Sequence, residues 1–157
     1  MSRGDHDAAG RERRGRFTEW FRNRPTSLEF WEVLVADDRL VWCFAGESFS
    51  SQLLRADMGE RTRGRLADLS PAEALDLDGR NFAVPLDDVR AVRLRTGTRT
   101  RRARLTVEWR EDGDRQSWTL SNTARGGDQR ALVESLDGDP AFAHVAVEVT
   151  KPRLSFI

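Results

Sequence analysis

The chain has 157 residues, 33% of them charged and 38% hydrophobic, with 26 basic and 26 acidic side chains in balance. That length suits one domain with tails, and the absence of net charge removes any global pull toward nucleic acid or an anionic membrane. Five Trp and eight Phe supply enough apolar surface for a core, so full disorder is excluded for the middle of the chain, and no apolar run reaches the roughly 18–20 residues of a membrane-spanning helix.

Residues 1–16 are polar and glycine-bearing, with Arg11, Arg13, Arg14 and Arg16 in a run, and read as a disordered tail. Met1 to Gly10 holds no apolar stretch, so no secretory signal is expected. Phe17, Trp20 and Phe21 then fall at i, i+3, i+4, which predicts one apolar face of a short helix over 17–24, stopped before Pro25. Two uses follow for that face: capping the end of the fold, or lying at a membrane interface beside the arginines of Arg11 to Arg24.

Residues 29–36 are rich in β-formers, Asp37-Asp38 turns the chain, and Arg39 to Ala45 follows as a strand buried on both faces. The single cysteine, Cys43, lies in that strand, so no internal disulfide forms and a reducing cytoplasm fits. From about 47 to 80 the period turns helical, with Leu53, Leu54, Met58, Leu66 and Leu69 as its apolar marks. Ser70-Pro71-Ala72-Glu73 reads as a capping box that starts a short helix ending near Gly79. Asn81 to Leu86 is a short edge strand ended by proline. Residues 92–95, 104–110 and 118–120 alternate apolar with polar, with a hairpin turn at Glu111-Asp112-Gly113-Asp114. They predict an antiparallel meander with one wet face. Leu132, Val133 and Leu136 mark a helix over 128–136, and the alternating valines of 145–149 supply one further strand in a C-terminal extension over 138–157.

Two stretches carry a family likeness. Val33-Leu34-Val35-Ala36-Asp37-Asp38-Arg39-Leu40-Val41-Trp42 resembles the early hairpin of the pleckstrin-homology-like superfamily, with its GRAM-like members. Asn81-Phe82-Ala83-Val84-Pro85-Leu86-Asp87-Asp88-Val89-Arg90-Ala91-Val92 resembles the run leading into that family's central strands. The likeness implies an α+β domain over 17–137: a bent, partly open antiparallel β-barrel with a helical insertion at 47–80 and a capping helix. It also implies a binding module without catalysis, whose loops meet lipid headgroups, peptides or proteins. The long insertion and the extension past the last helix depart from the family pattern.

Catalytic machinery is not expected from the residues. His6 lies in the tail and His144 beside an apolar run, and no HExxH, CxxC, GxSxG or Walker loop is present, so neither metal nor cofactor is expected. Asp37-Asp38 and Asp87-Asp88 read as turn formers, because neighbouring strand residues point to opposite faces. Gly126-Gly127 could cradle an anion ahead of the last helix but lacks the rest of a phosphate fingerprint.

The sharpest candidate site is basic. Arg93, Arg95, Arg99, Arg101, Arg102 and Arg104 crowd one hairpin with no acid among them, and guanidinium forks suit phosphate. With 25 Arg against one Lys in the chain, the same cluster also reads as an arginine-biased wet sheet face balanced by acids elsewhere. Used as a site, the loop would take an anionic headgroup at a peripheral membrane or a protein partner. The alternative is nucleic acid, which the lack of interleaved aromatics disfavours. A dimer through an exposed barrel edge is the purely structural reading.

Overall fold

The computed structural model describes residues 13–49, 59–122 and 127–151, and it divides the chain into two compact units, Met1–Asp87 and Asp88–Ile157. Each unit holds four strands that are neighbours in the sheet order.

In the first unit β1 (Arg13–Asn23), β2 (Leu28–Ala36), β3 (Arg39–Ser48) and β4 (Phe82–Pro85) lie in the order β4-β3-β2-β1, all antiparallel. β2 and β3 join through Asp37-Asp38, as their turn chemistry predicts. Both strands are buried on both faces. On one, Trp31 meets Phe44 edge-on at 5.4 Å, and Trp42 stacks on Phe82 at 5.6 Å with the rings 5° apart. On the other, Leu34, Val41 and Cys43 pack beneath Leu66 and Ala74 of two short helices, α1 (Glu60–Leu66) and α2 (Pro71–Leu75). The helical insertion thus covers a sheet face that would otherwise be apolar and wet. Ser70 caps α2 as expected: its hydroxyl accepts from the Glu73 N–H, and the Glu73 carboxylate accepts from the Ser70 N–H. Leu53, Leu54 and Met58 lie outside the described residues.

The segment 17–24 corrects the sequence reading. It is strand, not helix, and β1 begins at Arg13, inside the span expected as tail; residues 1–12 lie outside the described residues. Phe17 opposes Val33 and Trp20 opposes Trp31, so β1 spends three steps where β2 spends two. This bulge shifts the side-chain parity by one residue, and the resulting 17/20/21 spacing imitates a helical face. Phe17, Trp20 and Phe21 are all buried, which removes the membrane-interface use of that face. The bulge residue Glu19 has φ +67°, and its N–H donates to the buried Glu32 carboxylate at 2.7 Å. Thr18 Oγ1 donates to the same carboxylate at 2.5 Å, and Arg16 Nε stands 3.6 Å from it. Burial pushes the Glu32 carboxyl up, against the lowering effect of those donors.

In the second unit β5 (Val89–Arg95), β6 (Arg104–Glu111) and β7 (Asp114–Asn122) form the expected meander. Its β6–β7 turn is two-residue, with Asp112 at φ +52° and Gly113 at +84°, the signature of a type I′ hairpin. Helix α3 (Gly127–Asp137) then carries the chain back, so β8 (Ala146–Thr150) runs parallel to β5. The order is β7-β6-β5-β8. Val92, Leu94, Leu105, Val107 and Leu120 fill this unit's core with Val133, Leu136 and Phe142.

The expected bent antiparallel barrel is therefore corrected. The strands form open, mixed sheet rather than a closing antiparallel shell, and among the described residues β4 and β8 each pair with one strand only. β4 is four residues long and ends at Pro85, which cannot extend a ladder. Because α3 reverses the chain before β8, the last pairing is parallel, outside the antiparallel plan that the family likeness implied.

Candidate anion-binding site

The β5–β6 hairpin places its arginines by register. Along β5, Arg93 and Arg95 alternate with the buried Val92 and Leu94, so they share the wetter face. Two rows of that face behave differently. In the inner row Arg93 Nε donates to Glu148 of β8 at 3.2 Å. Its Nη1 bonds Glu108 of β6, whose other carboxylate oxygen accepts from Arg115 of β7. The Arg115 bond, with Arg93 behind it, holds the Glu108 carboxyl below the usual glutamate range, against a smaller raising effect of burial. Arg93 is thus committed to a cross-strand charge network.

The outer row carries no such acid. Arg95 of β5 opposes Arg104 of β6, Arg104 opposes Ser121 of β7, and Arg95 opposes Thr150 of β8. Opposed side chains of this kind sit about 4.5–5.5 Å apart at Cβ, where like charges are destabilising. Among the described residues Arg95 Nε is buried with no hydrogen-bond partner. Arg95, Thr100, Arg101, Arg102, Arg104 and Ser121 together line a cleft of about 440 Å³. Among the described residues its walls hold four guanidiniums and two hydroxyls and no carboxylate. Of the six predicted arginines, four line this cleft, Arg99 stands exposed on the loop beside it, and Arg93 belongs to the inner network.

The loop over the cleft has a defined shape. The Thr98 N–H donates to the Arg101 carbonyl at 2.8 Å. Thr98 Oγ1 accepts from the N–H groups of Thr100 at 3.3 Å and Arg101 at 3.1 Å. A Cβ on Gly97 would stand 2.7 Å from the Arg101 carbonyl oxygen and 2.8 Å from the Ala103 nitrogen, so only glycine admits this close approach. Ala103 is buried, and its carbonyl accepts from the Asn122 N–H at 3.1 Å, tying the loop's return to β7.

Sequence reasoning missed Thr100 and Ser121 as lining residues. Ser121 was within reach: counting back along the ladder from the Asp112-Gly113 turn places it opposite Arg104. Other sequence candidates do not converge. Cys43 is fully buried, and His144 is exposed. Asp37 and Asp38 are exposed on a smaller cleft of about 330 Å³ with Arg39, Pro71 and Ala72. Gly126 lies outside the described residues. Among the described residues no group of three or more His, Cys, Asp or Glu side chains could hold a metal ion, and no helix is long and apolar enough to cross a membrane. The rings of Trp109 and Trp118 pack against each other at 6.0 Å, away from any role in lining the cleft.

No protein-family pattern matches the sequence, and no curated protein matches it. The expected membership of the pleckstrin-homology-like superfamily is thereby corrected: nothing in the sequence matches that family. Among solved structures the chain is similar to the hSac2 domain from the human phosphoinositide phosphatase Sac2. The TM-score is 0.54 over 99% of this chain and 90% of that one, at 6% sequence identity, so what the two share is the fold.

Proposed function

We propose that the protein is a non-catalytic binding module whose β5–β6 cleft takes an anionic ligand, with an anionic lipid headgroup as the favoured source. The observation that carries this reading is the outer row: Arg95 faces Arg104 with no carboxylate among the described residues of the cleft, while Arg93, one row inward on the same face, is matched by Glu108 and Glu148. A sheet face that neutralises one arginine row and leaves the next uncompensated is arranged for charge from outside. The arginine bias of the composition does not account for the difference, since both rows lie on the same strands. That the similar hSac2 domain comes from a phosphoinositide phosphatase supports a headgroup-like ligand. Nucleic acid is the poorer fit, because among the described residues no ring lines the cleft for a base to stack on.

The test is flotation of the protein with phosphatidylserine vesicles across a salt series. Binding that weakens from low to physiological ionic strength is expected, because exposed charge interactions are screened over about 8–10 Å. Arg101→Glu combined with Arg102→Glu should abolish it. Binding that is insensitive to salt and to this charge reversal would remove the proposal.

A further inference from the structure

We infer that Arg95 is the residue that sets affinity at the β5–β6 cleft, through the fork of its guanidinium, while the exposed arginines Arg101 and Arg104 steer an oxyanion in without holding it. This rests on the anion-binding reading above and assigns roles within it.

Exposure separates the arginines of the cleft. Arg101, Arg102 and Arg104 are exposed, whereas Arg95 is half-buried and its Nε is out of solvent. Position in the sheet accounts for this. β5 is paired on both edges, so Arg95 stands between Thr150 of β8 and Arg104 of β6. Two residues on, Gly97 lies against the Arg101 carbonyl and the Ala103 nitrogen, which turns the loop back toward the end of β5.

Partial burial has two consequences for a ligand. A charge held partly out of water attracts an opposite charge more strongly than one in bulk solvent, and salt screens it less. A side chain whose stem is packed has also lost rotamer freedom in advance, so less entropy remains to be lost on binding. Among the described residues Arg95 Nε has no hydrogen-bond partner, so binding breaks no bond there. Arg93, one row inward, would first have to leave Glu108 and Glu148. Because the Arg95 Nε is covered, the terminal Nη groups are the part of the fork that meets the cleft. Two N–H groups in one plane match two oxygens of a carboxylate or phosphate, which the point charge of a lysine does not.

Arg101 and Arg104 lack this burial. Exposed charges at the rim of a site act mainly on the rate of encounter and its salt dependence, whereas partly buried charged contacts act on the rate of departure.

The experiment measures association and dissociation of the full chain on immobilised phosphatidylserine vesicles across a salt series. Calorimetry with inorganic phosphate alone reads the same site for a free oxyanion. Arg95→Lys, which keeps the charge and removes the fork, should raise koff at least about tenfold with kon nearly unchanged. It should weaken Kd by a similar factor on whichever arm binds. Arg101→Gln should lower kon about threefold and flatten its salt dependence, with koff nearly unchanged. Arg104→Lys is the matched comparison: it sits opposite Arg95 in the ladder but is exposed, and its koff should rise far less. Circular dichroism checks that each variant folds, and Arg95→Gln is the second variant should lysine disturb the row.

Phosphate binding in the calorimeter marks a free oxyanion as a ligand, and binding to vesicles alone marks a lipid source; the Arg95→Lys loss on either arm supports the assignment. Salt-sensitive binding that Arg95→Lys leaves within about twofold, or that Arg104→Lys weakens as much as Arg95→Lys does, overturns the anchoring role and leaves the anion-binding reading standing. Absence of binding by the unaltered chain to both probes overturns both.

Discussion

Two buried glutamates carry opposite perturbations, and their surroundings say why. Glu32 lies almost out of solvent at the β1 bulge, and the cost of ionising it there outweighs its donors from Thr18, Glu19 and Arg16. A carboxyl raised above its ordinary 4.5 binds more protons folded than unfolded, so stability is fullest below that value and falls as pH rises through the folded value. Glu108 is the reverse. Arg115 and Arg93 favour its charged form, so its contribution is present above 4.5 and lost as pH falls through the lowered folded value. Thermal midpoints from pH 3 to 8 should therefore separate the two. Glu32→Gln should flatten the decline on the neutral side, and Glu108→Gln should flatten the decline on the acid side. An unchanged profile in either variant would show that its carboxyl titrates as an ordinary one.

At the scale of the element, the outer row of β5 and β6 sets binding against stability. Arg95 opposite Arg104 is a like-charge pair in the ladder. Replacing one partner by glutamine should raise stability by about 0.2–1 kcal/mol while weakening anion binding. Chemical denaturation of Arg104→Gln beside its flotation would check both halves, and a loss of stability would mean that the row is held by contacts other than a ligand. The loop that joins the strands has the opposite character. Gly97→Ala forces a Cβ into backbone atoms at 2.7 and 2.8 Å, so it should cost about 1–3 kcal/mol and disturb the rim. Binding would then fall even though no arginine is changed, whereas Gly79→Ala, whose Cβ would meet nothing within 4 Å, serves as the silent control.

Across the whole molecule, protection should follow the sheet order. β2 and β3 are paired on both edges and buried on both faces, and β5 and β6 are likewise paired on both edges. β4 and β8 have one partner strand each. Hydrogen exchange should be slowest in β2, β3, β5 and β6 and faster by orders of magnitude in β8, whose residues are half-buried or exposed. Protection of β8 equal to that of β2 would show that its outer edge is covered in solution. Trp42, stacked on Phe82 with Trp31 across it, anchors the first unit, and Trp42→Ala should cost about 3–5 kcal/mol.

Most local features were legible in the residues because their causes are local. The Asp-Gly turn, the Ser70 capping box, the proline-ended edge strand and the period-two meander each follow from a few adjacent side chains. The arginine cluster was visible for the same reason. Tertiary structure decided what depends on partners distant in sequence. The β1 bulge exists because Glu32, 13 residues on, accepts the Glu19 N–H, and without that carboxylate in view the 17/20/21 spacing reads as helix. Whether the last strand pairs parallel or antiparallel depends on the direction of β8, which the return through α3 sets. Arg93 and Arg95 stand two residues apart with the same local pattern. Only the arrival of Glu148 from β8 and Glu108 from β6 neutralises the first, while the second faces a cleft with no acid among its described residues.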